Sequence, residues 1–253
     1  MLQTQNLLTI KDNTMNMKTL DMKAWAESAR NGRRRLAIPI MTHPGIELCG
    51  YTVRDAVTDG EVHARAILAL NDRYPADACS VIMDLTVEAE AFGANIVFPE
   101  NEVPSVTDTL VHDLAEIETL AIPTLETGRV PQYLKANRIV AEALGDKPLF
   151  AGCIGPFSLA GRLFGMTELM TALFTEPETV QLLLEKCTRF IGDYCMALKA
   201  SGRDIVFSAC NWGAEDVEQW IRSTGAHLYR STGDITDTFV SMKDIAEGQL
   251  EKL

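Results

Sequence analysis

Several features that would assign a function directly are missing from this chain of 253 residues. No apolar run approaches the roughly 18–20 residues that a membrane helix needs, and the first residues lack the apolar segment of a signal peptide. The six cysteines form no Cys-x-x-Cys pair, and no His-x-Cys element is present. Basic residues are in the minority, since 23 Lys and Arg stand against 35 Asp and Glu, for a net charge of −12.

These absences argue against several classes of protein. A nucleic-acid-binding protein needs a basic face, and an anionic membrane surface would repel a chain of this charge. Cysteines in apolar, strand-like runs, such as Cys79, Cys153 and Cys210, behave as small buried hydrophobes. We therefore expect reduced thiols, no nucleic-acid or membrane partner, and a cytoplasmic location. Residues 1–20 are polar and irregular, which predicts a flexible N-terminal extension.

Alternating apolar strands and amphipathic helices are the main feature that the chain does have. Hydrophobic residues make up 47% of it, enough for a substantial core. This alternation predicts an α/β fold built as a (β/α) TIM-barrel-like sheet, but five or six strands are fewer than the eight of a closed barrel. The barrel is therefore expected to be incomplete. Helices are predicted over 59–73, 131–144 and 177–200, and buried strands over 36–41, 78–83, 147–153 and 205–209.

Three segments in the first part of the chain carry a family resemblance. The run Asp84-Leu-Thr-Val-Glu-Ala-Glu-Ala-Phe-Gly93 follows one predicted strand, and Gly155-Pro-Phe-Ser-Leu-Ala-Gly161 follows another. A helix pair over 166–202 comes next. In this order and spacing, residues 33–202 resemble the uroporphyrinogen decarboxylase superfamily, and its corrinoid-linked methyltransferase branch in particular.

The resemblance implies a role for Asp84. This residue matches the aspartate that reaches into the decarboxylase pocket and accepts hydrogen bonds from the pyrrole N–H groups of the substrate. A carboxylate there stabilises a ring that gains positive charge. We therefore predict Asp84 as a catalytic residue, and a helix N-cap is the alternative interpretation of the same position.

One departure from the decarboxylases favours the methyltransferase branch. The decarboxylases carry an Arg-Gln-Ala-Gly-Arg element soon after the first strand, where arginines hold the acidic side chains of the substrate. Here the corresponding place reads Ile40-Met-Thr-His-Pro-Gly-Ile-Glu-Leu48, and no arginine follows before Arg54. Without these cations an octa-anionic porphyrinogen loses its main attraction. The resemblance then implies a small-molecule substrate, a corrinoid (cobalamin) as methyl donor and a corrinoid protein as partner.

The zinc site of those methyltransferases is not recognised in this sequence. The family binds zinc through a His-x-Cys element and a distant Cys, which turns the acceptor thiol into a thiolate. His43, Glu47 and Cys49 lie close together but match no standard zinc pattern, so no metal ligand is assigned. We predict His43 as a substrate-binding residue that lines the pocket. His63 and His112 are expected on solvated faces.

The last part of the chain resembles a second family. Residues 197–213 are similar to the segment of clan-D α-galactosidases in which a helix leads into a strand ending in Cys-x-Trp-Gly. Residues 229–235 are similar to their Arg-x-Thr-Gly-Asp-Ile strand end. This resemblance implies Asp234 as a catalytic general acid/base, without the second carboxylate that a retaining glycosidase needs. It also implies a set of sugar-binding residues, namely Cys210, Asn211, Trp212 and Arg230.

The two resemblances together predict a chimeric chain. Its parts are an extension over 1–20, a decarboxylase/methyltransferase-like partial barrel over 21–202, and an α-galactosidase-like β/α segment over 203–253. Three functions remain open: a methyltransferase-type protein with altered or lost activity, a glycoside hydrolase fragment without its nucleophile, and a non-catalytic ligand-binding barrel. Unpaired parallel edges of an incomplete sheet also predict self-association, as a homo-dimer or a poorly soluble product.

Overall fold

The computed structural model describes residues 21–34, 36–40, 42–200, 208–210, 216–220, 223, 228–230, 240, 241, 243 and 244. The predicted extension over 1–20 lies outside these residues, and only short stretches of 203–253 are described. The chain divides into two compact units. One is Asn31–Arg203, and the other consists of Asp21–Arg30 with Asp204–Leu253.

Helices make up most of the described secondary structure. In chain order they are α1 (Met22–Asn31), α2 (His43–Leu48), α3 (Val53–Thr58), α4 (Gly60–Arg73), α5 (Val87–Phe92), α6 (Leu114–Thr119), α7 (Val130–Leu144), α8 (Pro156–Phe164), α9 (Met166–Thr175), α10 (Pro177–Ala200) and α11 (Val217–Trp220). No helix in the described ranges combines the length and the apolar character needed to span a membrane.

The described strands form three separate two-stranded sheets. They are β1 (Cys79–Ser80), β2 (Ile96–Val97), β3 (Ser105–Val106), β4 (Leu149–Phe150), β5 (Ser208–Cys210) and β6 (Leu228–Arg230). β1 pairs with β4 in parallel, β2 with β3 antiparallel, and β5 with β6 in parallel. The parallel pairs agree with the predicted α/β class. A closed barrel is not formed by the strands in the described part of the chain.

The predicted strand over 36–41 is not a strand in its described residues. Residues 36–40 instead run beside β1 and the residues before it, through isolated hydrogen bonds. The Asp77 N–H donates to the carbonyl of Ala37 at 3.0 Å, and the Ser80 hydroxyl donates to the carbonyl of Pro39 at 2.8 Å. Because Pro39 has no N–H, it cannot continue a ladder on both sides.

The long predicted helices are confirmed, and their ends have local causes. Asp59 caps α4, since its side chain accepts from the backbone N–H groups of Glu61 and Val62. α10 begins with Pro177, whose missing N–H costs nothing in the first turn. Gly93 closes α5 with φ of +107°, in the left-handed region that glycine adopts without strain.

The core of the first unit consists of one large and two smaller apolar clusters. The large cluster joins α5, α7, α8, α9 and α10 around side chains such as Phe190 and Leu159. The smaller clusters pack α4 against α2 and α3 on one side, and against β1 and α7 on the other. Helix α4 approaches its neighbours closely at two glycines. A Cβ on Gly45 of α2 would lie 2.1 Å from the Ala66 carbonyl oxygen, and one on Gly60 of α4 would lie 2.4 Å from that of Gln132.

A lysine ties α10 to the end of α6. The Lys186 ammonium group donates to the carbonyl oxygens of Ile117, Glu118 and Leu120, at 2.6, 2.9 and 2.7 Å. The final carbonyls of a helix have no partner within the helix, and a cation there also complements the helix dipole. Lys186 of α10 therefore caps the C-terminal end of α6.

Candidate functional site

The site is built where the parallel strands β1 and β4 end. Ser80 of β1 stands in register with Phe150 of β4, so the segments that follow both strands leave the sheet at the same edge. In parallel α/β proteins this edge is where ligands bind. Asp84 follows β1 there and Cys153 follows β4. α5 begins directly after Asp84 and faces the β4 segment through Glu88.

Asp84 and Arg129 form a buried ion pair at this edge. The side chains of Asp84 and Arg129 are only 2% and 7% exposed, and an Arg129 Nη1–H donates to Oδ2 of Asp84. Tyr133 donates to the same oxygen at 3.3 Å. The other carboxylate oxygen, Oδ1, accepts from the N–H of Thr86 at 2.9 Å and from its hydroxyl at 2.7 Å. Both oxygens of Asp84 are therefore held by protein groups.

Arg129 uses all of its nitrogens inside the protein. Its Nε donates to Glu90, Nη1 also donates to the Val57 carbonyl, and Nη2 donates to the Thr86 hydroxyl. The guanidinium lies 4.6 Å from the ring centre of Phe98, which adds a cation–π contact. Burial opposes the charge of Arg129, but the combined attraction of Asp84, Tyr133 and Glu90 outweighs burial and raises the pKa of the guanidinium. Arg129 is thus a fixed buried cation.

This geometry shows how Asp84 acts locally. Its carboxylate closes a turn with Thr86, the residue at the N-cap position of α5, whose own side chain caps nothing. Asp84 therefore positions the start of α5 and holds Arg129 in place. The catalytic role that the resemblance implies stays a prediction.

Glu88 is the other buried carboxyl group of the site, and it was not singled out from the sequence. It is 1% exposed, and its Oε1 accepts from the Ile154 N–H at 3.0 Å. Its Oε2 is buried without a hydrogen-bond partner in the described structure. Burial, with a smaller contribution from the negative charge of Asp84, raises the pKa of Glu88 to about 7. A carboxyl group with this pKa can give or take a proton near neutrality.

Two thiols and another polar side chain lie near Glu88. The sulfur atoms of Cys153 and Cys195 are 3.7 Å apart. The Nε of Arg162, on α8, is also buried without a partner in the described structure. The electrostatic influence of Glu88 reaches both thiols, and that of Arg162 reaches Glu88. The strand edge therefore carries a second polar cluster beside the Asp84 ion pair.

The prediction of a solvated His63 is wrong, whereas that of an exposed His112 is confirmed. His63 is 1% exposed, and its Nε2 accepts from the Ile82 N–H at 2.9 Å. Burial lowers the pKa of its imidazole to about 4, so the ring is neutral at physiological pH. Its ring packs edge-on against Tyr133, with centroids 5.0 Å apart. His63 thus packs against Tyr133, which in turn donates a hydrogen bond to Asp84.

His43 begins α2 and is half-buried, and its Nε2 has no hydrogen-bond partner in the described structure. Its predicted substrate-binding role stays a prediction. The described ranges contain no group of three or more His, Cys, Asp or Glu side chains that could hold a metal ion.

The residues predicted from the second resemblance are only partly described. Cys210 and Arg230 end β5 and β6, and the register of the parallel pair places them side by side. Asn211, Trp212 and Asp234 lie outside the described residues. The proposed sugar-binding and acid/base roles of these five residues stay predictions.

The parallel strands, with buried ionisable groups beyond their carboxyl ends, define an α/β protein with a candidate site at that edge. The family described as uroporphyrinogen decarboxylase (URO-D) matches residues 35–215. The chain belongs to this family.

Relatives at similar identity include methyltransferases and decarboxylases. The chain is 32% identical over 163 residues to "Methylcobamide:CoM methyltransferase MtbA" of Methanosarcina mazei, a match that covers 64% of this chain and 48% of that protein. It is 28% identical over 148 residues to "Uroporphyrinogen decarboxylase" of Vibrio vulnificus, covering 56% and 41%. A solved "methyltransferase from Methanosarcina mazei" superposes with a TM-score of 0.67 at 25% identity, over 81% of this chain and 64% of that one.

Two points follow from these comparisons. The chain spans about half the length of the curated relatives that it matches. The family match also continues to residue 215, past the predicted junction near 203 and through Cys210, Asn211 and Trp212. The comparisons give no evidence for an α-galactosidase-like segment, so the predicted chimera of two families is not supported.

Proposed function

We propose that this chain is a methyltransferase-type member of its family, which helps to move a methyl group from a corrinoid donor to a thiol-bearing small molecule. The observation that carries the proposal is Glu88, a buried carboxyl group with one unpaired oxygen at the strand edge. The similarity to proteins named methylcobamide:CoM methyltransferases, at 32% and 33% identity, also supports a methyltransferase-type function.

Glu88 suits the proton transfer that such a reaction requires. A thiol must lose its proton before its sulfur can accept a methyl group, and a base works best when its pKa lies near the operating pH. The pKa of Glu88 is raised to about 7 by burial. Its unpaired Oε2 can take the proton while Oε1 stays fixed by the Ile154 N–H.

Asp84 and Arg129 hold the site rather than the substrate in this proposal. Every nitrogen of Arg129 already donates to a protein group, so it offers nothing to the acidic side chains of a porphyrinogen. The ion pair fixes the start of α5, in which Glu88 is the second residue. This supports methyl transfer over decarboxylation of a porphyrinogen.

The residues of the site leave a role for a corrinoid but not for zinc. A bound corrinoid would supply the transferable methyl group, and the unpaired Oε2 of Glu88 would accept the proton of the acceptor thiol. The described residues do not fit a zinc site, because no three suitable side chains meet. We therefore assign no step to zinc.

Other parts of the proposal rest on the sequence alone. His43 would line the substrate pocket, and a corrinoid protein would deliver the donor. The sequence also predicts a barrel that is incompletely closed, a cytoplasmic location and assembly into a homo-dimer. No feature of the described residues favours glycoside hydrolysis, with Asp234 as its acid, over methyl transfer.

The proposal is tested with methylcobalamin as donor and 2-mercaptoethanesulfonate, the thiol called CoM, as acceptor. Binding is followed by the change in cobalamin absorbance, and transfer by mass spectrometry of the methylated thiol. We expect Glu88→Gln to retain methylcobalamin binding and to lower transfer by about 10²-fold or more, because a general base typically contributes that much. Glu142→Gln, an exposed substitution on α7, is the matched control.

Three results would count against the proposal. A folded chain that neither binds methylcobalamin nor methylates the thiol contradicts it as a whole. Equal transfer by Glu88→Gln and Glu142→Gln contradicts the role of Glu88. Hydrolysis of a nitrophenyl α-galactoside by the same preparation, without methyl transfer, would favour the glycosidase instead.

A further inference from the structure

Two cysteines that are 42 residues apart in the sequence, Cys153 and Cys195, lie in contact. Cys153 lies in the segment between β4 and α8, and Cys195 lies in the last third of α10. Their sulfur atoms are 3.7 Å apart, which is the distance of an S–H···S contact. Both residues are half-buried rather than sealed in the core. Neither residue is therefore fully enclosed by the protein.

The contact makes the two thiols chemically unequal. The hydrogen bond from Cys153 lowers the pKa of the Cys195 thiol, because it stabilises the thiolate against the cost of burial. The same contact, with burial and nearby negative charge, raises the pKa of the Cys153 thiol. One thiol of the pair is thus the better nucleophile and the other stays protonated beside it.

Cys187, Cys79 and Cys49, the other cysteines whose side chains the structure describes, lack this arrangement. Cys187 is fully buried in α10, and burial raises the pKa of its thiol to about 12. Cys79 is buried in β1, and burial raises its pKa as well. Cys49 is half-buried, but its sulfur contacts the Arg65 carbonyl instead of another thiol. Selective chemistry at Cys153 and Cys195 follows from these differences.

We propose that Cys153 and Cys195 are a redox modification site, at which hydrogen peroxide closes an intramolecular disulfide that a dithiol reopens. The Cys195 thiolate attacks one peroxide oxygen, the O–O bond breaks, and hydroxide leaves to take up a proton. The sulfur of Cys153 then attacks the resulting sulfenic acid, loses its proton and displaces water. The sum is two thiols and one peroxide converted to one disulfide and two waters.

Closure changes the local geometry by a known amount. The sulfurs must approach from 3.7 Å to about 2.05 Å, a movement of less than 2 Å. The backbone N–H next to Cys153 belongs to Ile154, which holds Oε1 of Glu88. The modification site therefore adjoins the proposed proton acceptor, although it does not depend on that function.

Peptide mapping of the full chain tests the proposal directly. The protein is treated with hydrogen peroxide, blocked with N-ethylmaleimide and digested with trypsin without reduction. Peptides 139–162 and 190–199 each contain one cysteine, Cys153 and Cys195 respectively. We expect these two peptides to appear joined, lighter by two hydrogen atoms than their sum, and to separate after treatment with dithiothreitol.

Variants assign the order of the steps. Cys49→Ser, the matched control, should form the same linked peptides as the wild-type chain. In Cys153→Ser, which removes the resolving thiol, Cys195 should be trapped by dimedone as a sulfenic acid. In Cys195→Ser, dimedone should label Cys153 at least several-fold less than it labels Cys195 in Cys153→Ser.

The results that overturn the proposal are equally specific. In the first, the folded wild-type chain is treated with peroxide and both peptides remain singly alkylated. In the second, Cys153 and Cys195 oxidise separately to sulfinic acids. In the third, either cysteine forms a disulfide mainly with another partner. Because the wild-type chain alone gives these readouts, the test does not depend on whether any variant folds.

Discussion

Burial forces the ionisable residues of the site either to pair or to stay neutral. Asp84 and Arg129 pair with each other, whereas Glu88 and His63 have no opposite charge within ion-pair distance in the described structure. Their pKa values accordingly move towards the neutral form, up to about 7 for Glu88 and down to about 4 for His63. Both the ion pair and the shifted pKa values have a measurable effect on the free energy of unfolding.

Replacing Glu88 with Gln should change how stability depends on pH. The folded protein binds the Glu88 proton more tightly than the unfolded chain does, since its pKa rises from 4.5 to about 7. The wild type therefore loses up to about 3 kcal/mol as pH rises through this window, and the glutamine variant does not. Urea unfolding at about pH 5 and about pH 8 measures the difference.

His63 acts in the opposite direction but cancels in this comparison. Its pKa is lowered from 6.5 to about 4, so it contributes stability above that window that is lost as pH falls through it. Both proteins retain His63, so the difference between them isolates Glu88. Identical pH dependence in the wild type and Glu88→Gln would show that Glu88 ionises freely in the folded chain.

Removing the cation of the buried pair should cost more than any surface change. Arg129→Met leaves the Asp84 carboxylate buried without its partner, and Glu90 loses its ion pair as well. We expect the free energy of unfolding to fall by about 3–5 kcal/mol. Arg138→Met, an exposed change on the same helix, should stay within about 0.5 kcal/mol. Equal losses in urea unfolding would contradict a structural role for the pair.

The site could be predicted from the sequence only where a residue follows a strand. Asp84 was predicted because the family resemblance implies an aspartate after this strand, and the structure places it four residues after β1. Arg129 was missed, since 45 residues separate it from Asp84 and no local pattern links them. Glu88 was missed because a glutamate in an alternating run, Val87–Phe92, gives no sign that its side chain turns inward.

Among the elements, helices were predicted much better than strands. A helix carries its own hydrogen bonds and a period that the sequence displays, so α4, α7 and α10 match their predicted ranges closely. A strand depends on a partner elsewhere in the chain. The predicted run over 78–83 is reduced to Cys79–Ser80, and Ser105–Val106 forms a strand where none was predicted. Apolar runs locate strands but do not set their length.

Two glycines in helices should respond to alanine in opposite ways. In Gly60→Ala the new Cβ would meet the Gln132 carbonyl at 2.4 Å, so α4 and α7 must separate. We expect a loss of about 1–3 kcal/mol. Gly192 in α10 has no atom within 4 Å of the same position, and alanine there should stabilise the chain by about 0.5–1 kcal/mol. Thermal unfolding of both variants checks the signs, and stabilisation by Gly60→Ala would contradict the close approach.

At the scale of the whole molecule, the apolar clusters formed by the described residues lie in the first unit. Their residues run from Ile46 to Leu198, inside Asn31–Arg203. The family match covers the same stretch and continues to residue 215. The first unit therefore has an apolar core of its own.

A fragment of residues 31–203 should fold by itself. It keeps the three clusters, and a domain with its own core unfolds cooperatively. We expect one sigmoidal transition in circular dichroism on urea titration. A shorter fragment, 31–175, lacks Phe190, Tyr194 and Leu183 of the large cluster and should show no such transition. A non-cooperative 31–203 would mean that its core needs residues outside it.

The triple hydrogen bond of Lys186 has a consequence for chemical labelling. Its ammonium group cannot be acylated until it leaves the carbonyls of Ile117, Glu118 and Leu120. Amine reagents should therefore modify the solvated lysines first and Lys186 last. The rate at which Lys186 becomes reactive then reports how often α6 and α10 come apart, without any probe being introduced into the chain.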